Sequence, residues 1–284
     1  MELSKILEPI VDDMAAIERE LAKVAARIAS SDGARPSPLG ILHQISRHPF
    51  AVPGKRLRPA LVLLAARAAG DIRPRREAAI GLGAAVEVLH AASLVHDDII
   101  DEADERRHQV SLNKRYGNRV AVLAGDILYT EFFSLITELP VNAALRSRLL
   151  SLFLGTTRKM CVGEILAQEA AASKRGLAFA EYIEICEDKT ASLFSACCGG
   201  GAIVGGSGEE GIGALGEFGL LFGLTFQMLD DLADGDHGLS PEVDLRARTE
   251  EYAGRTRAAA AALGPSASEV SAILDYVLAQ ALSS

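Results

Sequence analysis

Two stretches of this 284-residue chain carry the same arrangement of carboxylates, Asp97-Asp98-Ile99-Ile100-Asp101 and Asp230-Asp231-Leu232-Ala233-Asp234. In an α-helix residues i and i+4 share a face, so Asp97 and Asp101 project together while Asp98 is turned roughly 100° away; Asp230, Asp231 and Asp234 repeat the pattern. Carboxylates gathered in this way repel one another unless cations intervene. Hard oxygen ligands select Mg²⁺ over zinc. Because Mg²⁺ keeps several waters and is held by one or two carboxylates plus substrate phosphates, the expected third party is a phosphorylated ligand. The apolar neighbours Leu94, Val95, Ile99, Phe226, Met228 and Leu229 set both motifs apart from a solvated helix end. A calcium loop is excluded at the second motif: placing Gly235 at its glycine position puts Leu232 and Pro241 where oxygen ligands are needed.

Cations gather at two places. Gly54-Lys55-Arg56-Leu57-Arg58-Pro59 leads into an apolar segment, and a proline at the first helical position leaves backbone N–H groups and a positive dipole end beside Lys55 and Arg58. Arg106-Arg107 follows the first carboxylate motif and suits bidentate phosphate contacts. His90 stands two helical turns before Asp97, on the face of Asp97 and Asp101, while His96 reads as a core or supporting residue. Lys189-Thr190 sits in the helical stretch from Tyr182 to Ala196, and Gln227 precedes the second motif. Taken singly, each has a plainer reading as a surface cluster or a packing residue.

The elements that position these groups are helices. The chain is alanine-rich, has no tryptophan and only 5% aromatic residues, which favours close-packed helices over a β-sandwich or barrel. Helical periodicity is broken by polar or Gly/Pro segments at Ser30–Pro38, Pro49–Gly54, Gly70–Pro74, Pro140 and Gly205–Gly211, cutting the chain into helices, not strands. None of the breaks resembles an interdomain linker, so residues 1–284 are expected to form a single all-α domain. Gly213, Gly216, Gly219 and Gly223 lie at helical spacing and are expected to permit close helix packing. With 29 Lys+Arg against 38 Asp+Glu the net charge is −9, which disfavours nucleic acid and anionic lipid; any bound anion must be held locally. Cys161, Cys186, Cys197 and Cys198 show neither zinc nor disulfide-scaffold spacing, the first 27 residues lack a secretory layout, and no uninterrupted apolar run approaches about 18 residues. A soluble, cytoplasmic protein without stable membrane insertion is expected.

EVLHAASLVHDDIIDEADERRH (Glu87–His108), together with GKRLRP, VLAGDILYT (Val122–Thr130), GEILAQ (Gly163–Gln168), DKTASLF (Asp188–Phe194) and FQMLDD (Phe226–Asp231), resembles the trans-polyprenyl diphosphate synthases. The six motifs stand in order over about Gly54 to Asp234. The resemblance implies a single bundle of antiparallel helices around a deep apolar cavity, the isoprenoid synthase fold, as a homodimer. It implies that Lys55, Arg58, His90 and Arg107 hold isopentenyl diphosphate, and that Arg106 contacts the allylic diphosphate. Asp97, Asp101 and Asp230 would bind Mg²⁺ with Asp98, Asp231 and Asp234 supporting. Lys189, Thr190 and Gln227 would line the reacting centre, Lys189 also meeting the allylic diphosphate.

Synthases of this family with short products often carry a bulky aromatic four or five residues before the first motif; Ser93 and Ala92 stand there, so a medium or long product is expected, with Phe132 and Phe133 at the tunnel floor. One departure stands out. The family's lysine-bearing loop after the second motif is replaced by GDHGLSPEVDLRARTEEY (Gly235–Tyr252), and no lysine follows Lys189, leaving His237, Arg246 or Arg248 as substitutes. The departure keeps open a weak or non-catalytic subunit of a heteromeric synthase; a class I terpene cyclase is disfavoured by the isopentenyl-site cations.

Overall fold

A computed structural model describes residues 3–30, 40–52, 54–106, 108–173, 175–235, 238–264 and 267–281. Thirteen α-helices run through these residues: α1 Leu3–Leu7, α2 Val11–Ser30, α3 Ile41–Arg47, α4 Leu57–Ala69, α5 Arg76–Ile100, α6 Leu112–Tyr116, α7 Asn118–Glu138, α8 Ala143–Ser173, α9 Phe179–Cys186, α10 Ser192–Gly205, α11 Glu209–Asp234, α12 Leu245–Ala262 and α13 Ser268–Ala281. The all-α expectation holds, with one addition. Strands β1 Glu105–Arg106 and β2 Gln109–Val110 pair antiparallel behind the first aspartate motif, too short for any alternation to announce them.

The contacts sort into two compact units. In the first, which holds Leu61–Ala79 and Val141–Ser284, α10 is buried from Ser192 to Val204. Small residues bring its neighbours close: a Cβ on Gly201 or Gly205 would collide with the Val62 or Ala66 carbonyl of α4. Gly219 and Gly223 of α11 likewise leave room for Phe194 and Ala191, as their spacing suggests, whereas Gly213 faces open space. Phe194, Phe218 and Phe222 are fully buried, and the Phe194 ring meets Phe222 and Phe226 at 5.2 and 5.5 Å, fixing the helix turn that carries Gln227.

The second unit holds Val11–Ala60 and Ile80–Pro140. Its α2 buries Ile17, Leu21, Val24 and Ile28, a stripe at 3.6-residue spacing. Gly125 of α7 gives the imidazole of His96 its place against the helix, where His96 Nε2 lies 3.2 Å from the Val122 carbonyl.

Averaging over a helix alters one expectation. No single run is long and unbroken, yet Arg73–Ile100, Asn118–Glu138 and Glu209–Asp234 are each long and apolar enough to cross a membrane by length and composition. In Arg73–Ile100 78% of the apolar window is buried within the protein, so packing accounts for its composition; in Asn118–Glu138 the figure is 39%.

Candidate active site

The first aspartate motif ends α5. Asp97 is half-buried and Asp101 exposed, while Asp98 is buried and accepts from Arg106 Nε. Arg106 reaches it from β1, where the hairpin folds back with His108 in the left-handed region at φ 62°. Burial pushes the Asp98 carboxyl above the ordinary aspartate range, against the pull of Arg106. Asn113 Nδ2 donates to the Asp98 carbonyl at 3.0 Å and Ala103 N–H at 2.9 Å, closing the helix end. Arg107 lies outside the described residues.

The Gly54–Pro59 loop divides its cations by direction. Arg56 takes φ 51°, a left-handed conformation rare for a side-chain-bearing residue, and turns its guanidinium inward onto Glu87 of α5 and Glu18 of α2. Arg56 and Glu87 are both buried; burial opposes the charge on Arg56, but the two carboxylates outweigh it and raise its pKa. Arg56 is therefore a structural pin. One turn beyond Glu87, His90 Nε2 accepts from Arg58 Nη1 at 3.2 Å, so α5 grips the loop at two successive turns and leaves Lys55 exposed. The helix opens at Leu57, not Pro59, and Ala60 N–H bonds the Arg56 carbonyl. Proline in the first turn still forfeits only a hydrogen bond that has no helical partner.

The second motif lies near the end of α11. Asp230 and Asp234 are exposed, whereas Asp231 is half-buried and doubly bonded: Tyr182 OH donates to Oδ2 at 2.5 Å and Gln227 Nε2 to Oδ1 at 2.9 Å. Gln227 Oε1 accepts from Thr190 Oγ1 at 2.8 Å. Thr190 and Lys189 stand in a π-helical turn, Glu187–Ala191, a widened turn often found at functional sites. Lys189 Nζ pairs with Glu164 of α8 at 2.7 Å, and Gln168 Nε2 steadies Glu164 at 2.9 Å. A Cβ on Gly163 would collide with the Lys189 backbone, so glycine is what admits the widened turn against α8. Lys189, Thr190, Gln227 and Asp231 line one cavity of about 700 Å³, with Tyr182 and Arg175 also in its wall.

In each motif the second aspartate, Asp98 or Asp231, accepts these bonds, while Asp97 and Asp101, and Asp230 and Asp234, stand at i and i+4. Among the described residues no three His, Cys, Asp or Glu side chains converge in a metal-holding group. The donor chemistry nonetheless fits Mg²⁺, which needs only one or two carboxylates besides substrate phosphates. The lysine-poor segment after α11 is joined to the α8–α9 connection by a parallel bridge between Leu177 and Leu239. Arg248 pairs with Glu251 and stacks on Phe179, Arg246 is exposed, and His237 lies outside the described residues. Sequence reasoning gave Tyr182, Glu164 and Glu87 no role. Glu87 opens the segment Glu87–His108 and Glu164 lies in Gly163–Gln168, and Tyr182 stands two turns before Lys189, but their partners are long-range.

Residues 40–237 match the polyprenyl synthetase family over more than two thirds of the chain. The chain belongs to that family. It is 36% identical over 194 residues to a geranylgeranyl diphosphate synthase of Methanosarcina mazei, covering 68% of this chain and 58% of the relative; this chain therefore spans little more than half that relative's length. It is 31% identical to the heptaprenyl diphosphate synthase component 2 of Geobacillus stearothermophilus, covering 98% of this chain and 85% of the relative. The fold matches a polyprenyl synthase from Caulobacter crescentus, complexed with calcium and isoprenyl diphosphate, at a TM-score of 0.79 and 25% identity over 97% of both chains.

Proposed function

We propose that this chain is a trans-polyprenyl diphosphate synthase that joins isopentenyl diphosphate to an allylic prenyl diphosphate. The observation that carries the reading is the cavity that gathers Lys189, Thr190 and Gln227 beside Asp231 of the second aspartate motif. Asp97, Asp101, Asp230 and Asp234 would hold Mg²⁺, which when bound would offset the charge of the departing pyrophosphate. Lys55, Arg58 and His90, with Arg107, bind isopentenyl diphosphate; Lys189 binds the allylic diphosphate, and Arg106 acts on it through Asp98. The allylic C–O bond breaks, the isopentenyl double bond supplies the electrons of the new C–C bond, and the proton lost leaves with pyrophosphate. Exclusion of water protects the cation.

The family match passes through segments of both units, which supports one catalytic domain over the chain. Val122 and Leu123 on α7, and Leu154, Val162 and Ile165 on α8, are large apolar side chains exposed to solvent, which supports a homodimer. Small residues at Ala92 and Ser93 support a medium or long product, with Phe132 and Phe133 at the end of its path. Incubating purified protein with isopentenyl diphosphate, Mg²⁺ and allylic primers of several lengths, followed by mass spectrometry, tests the reading; a product no longer than farnesyl diphosphate contradicts the length assignment. The relative named as a component favours a second reading, a subunit of a heteromeric synthase. Elongation by this chain alone excludes it.

A further inference from the structure

Four polar side chains in the 700 Å³ cavity form a chain of hydrogen bonds whose direction is fixed at one end. Asp231 as a carboxylate only accepts, so the phenol of Tyr182 must donate to Oδ2 and the Gln227 amide must present its NH₂ to Oδ1. The Gln227 carbonyl is then left to face Thr190, whose single hydroxyl proton it takes. Reversing the amide would set its oxygen against a carboxylate oxygen. With its proton committed, the Thr190 oxygen offers the cavity only lone pairs, the polarity wanted where positive charge develops. Tyr182 begins this ordering and is itself packed in place: its side chain is buried, and its ring lies 6.2 Å from Phe179, which packs edge-on to Tyr252.

We propose that Tyr182 is a positioning residue which, through Asp231, fixes the Gln227 amide and with it the acceptor face that Thr190 turns to the reacting end of the substrate. The inference rests on the synthase reading for its kinetic arm alone. Tyr182→Phe, Thr190→Val and the double variant are compared in steady-state elongation. Tyr182→Phe is expected to lower kcat about tenfold, with KM for isopentenyl diphosphate unchanged, and to have almost no further effect once Thr190 is valine. An equal loss in both backgrounds, or a loss confined to KM, overturns the proposal. The second arm needs no turnover: the Gln227 side-chain amide signal, identified by its disappearance in Gln227→Glu, is followed by ¹⁵N NMR in the folded protein. A displaced signal in Tyr182→Phe supports the proposal, and an unmoved one overturns it. If the wild type fails to elongate any primer, the synthase reading falls while the amide signal still decides the role of Tyr182.

Discussion

The two Asp-Asp-x-x-Asp motifs share their spelling and differ in what holds the middle carboxylate. Asp98 is buried and anchored by a cation, Arg106, delivered on the hairpin of Glu105–Val110. Asp231 is anchored by neutral donors, the Tyr182 phenol and the Gln227 amide, from inside the helical packing. Burial already raises the Asp98 carboxyl against the pull of Arg106, so losing that cation exposes a larger penalty than losing a neutral donor. Neutral donors give less energy but more orientation, since a carboxylate accepting one bond on each oxygen has a fixed plane. The first motif is built for retention and the second for aim.

The largest effect sought separates the outer aspartates from the anchored ones. Asp97→Asn and Asp230→Asn should each lower kcat by about a thousandfold, as expected if several kcal/mol of charge stabilisation is lost, measured by incorporation of labelled isopentenyl diphosphate. Next comes the charged anchor. Arg106→Ala leaves Asp98 buried without its cation and should cost about 2–3 kcal/mol in urea unfolding, less than a fully buried pair because Arg106 keeps a third of its side chain in solvent. Adding Asp98→Asn should recover much of that loss. For the neutral anchor, Tyr182→Phe should cost only about 1 kcal/mol in the same assay; a loss as large as that of Arg106→Ala would erase the contrast. The smallest effect is at the cavity rim, where Arg175 holds the Glu181 carboxyl down to about 2 by hydrogen bonding at an exposed site. Any stability from that depressed value is present above pH 4.5 and gone as the pH falls through about 2. Glu181→Gln should leave the melting midpoint at pH 7 unchanged, because exposed pairs contribute little.

The helices and both carboxylate motifs were legible because periodicity and i, i+4 spacing are local. The amphipathic stripe of α2 and the close packing at Gly219 and Gly223 of α11 follow from the spacing of residues a few positions apart. Illegible were the features set by distant partners. Arg56 reads as one of three equivalent cations until its left-handed backbone turns it onto Glu18 and Glu87. Tyr182 reads as one more helical aromatic, since its partner Asp231 lies 49 residues away. The hairpin of Glu105–Val110 is too short to show a period, and the π turn at Lys189 needs the packing of Gly163 to reveal it.

The most direct test of this division is the Mg²⁺ dependence of elongation in six single variants, each aspartate of the two motifs changed in turn to asparagine. Asp97, Asp101, Asp230 and Asp234 are expected to raise the Mg²⁺ concentration for half-maximal activity. Asp98→Asn and Asp231→Asn are expected to lower stability or kcat while leaving that concentration where the wild type has it. A shift for either anchored aspartate as large as for the outer four would contradict the account.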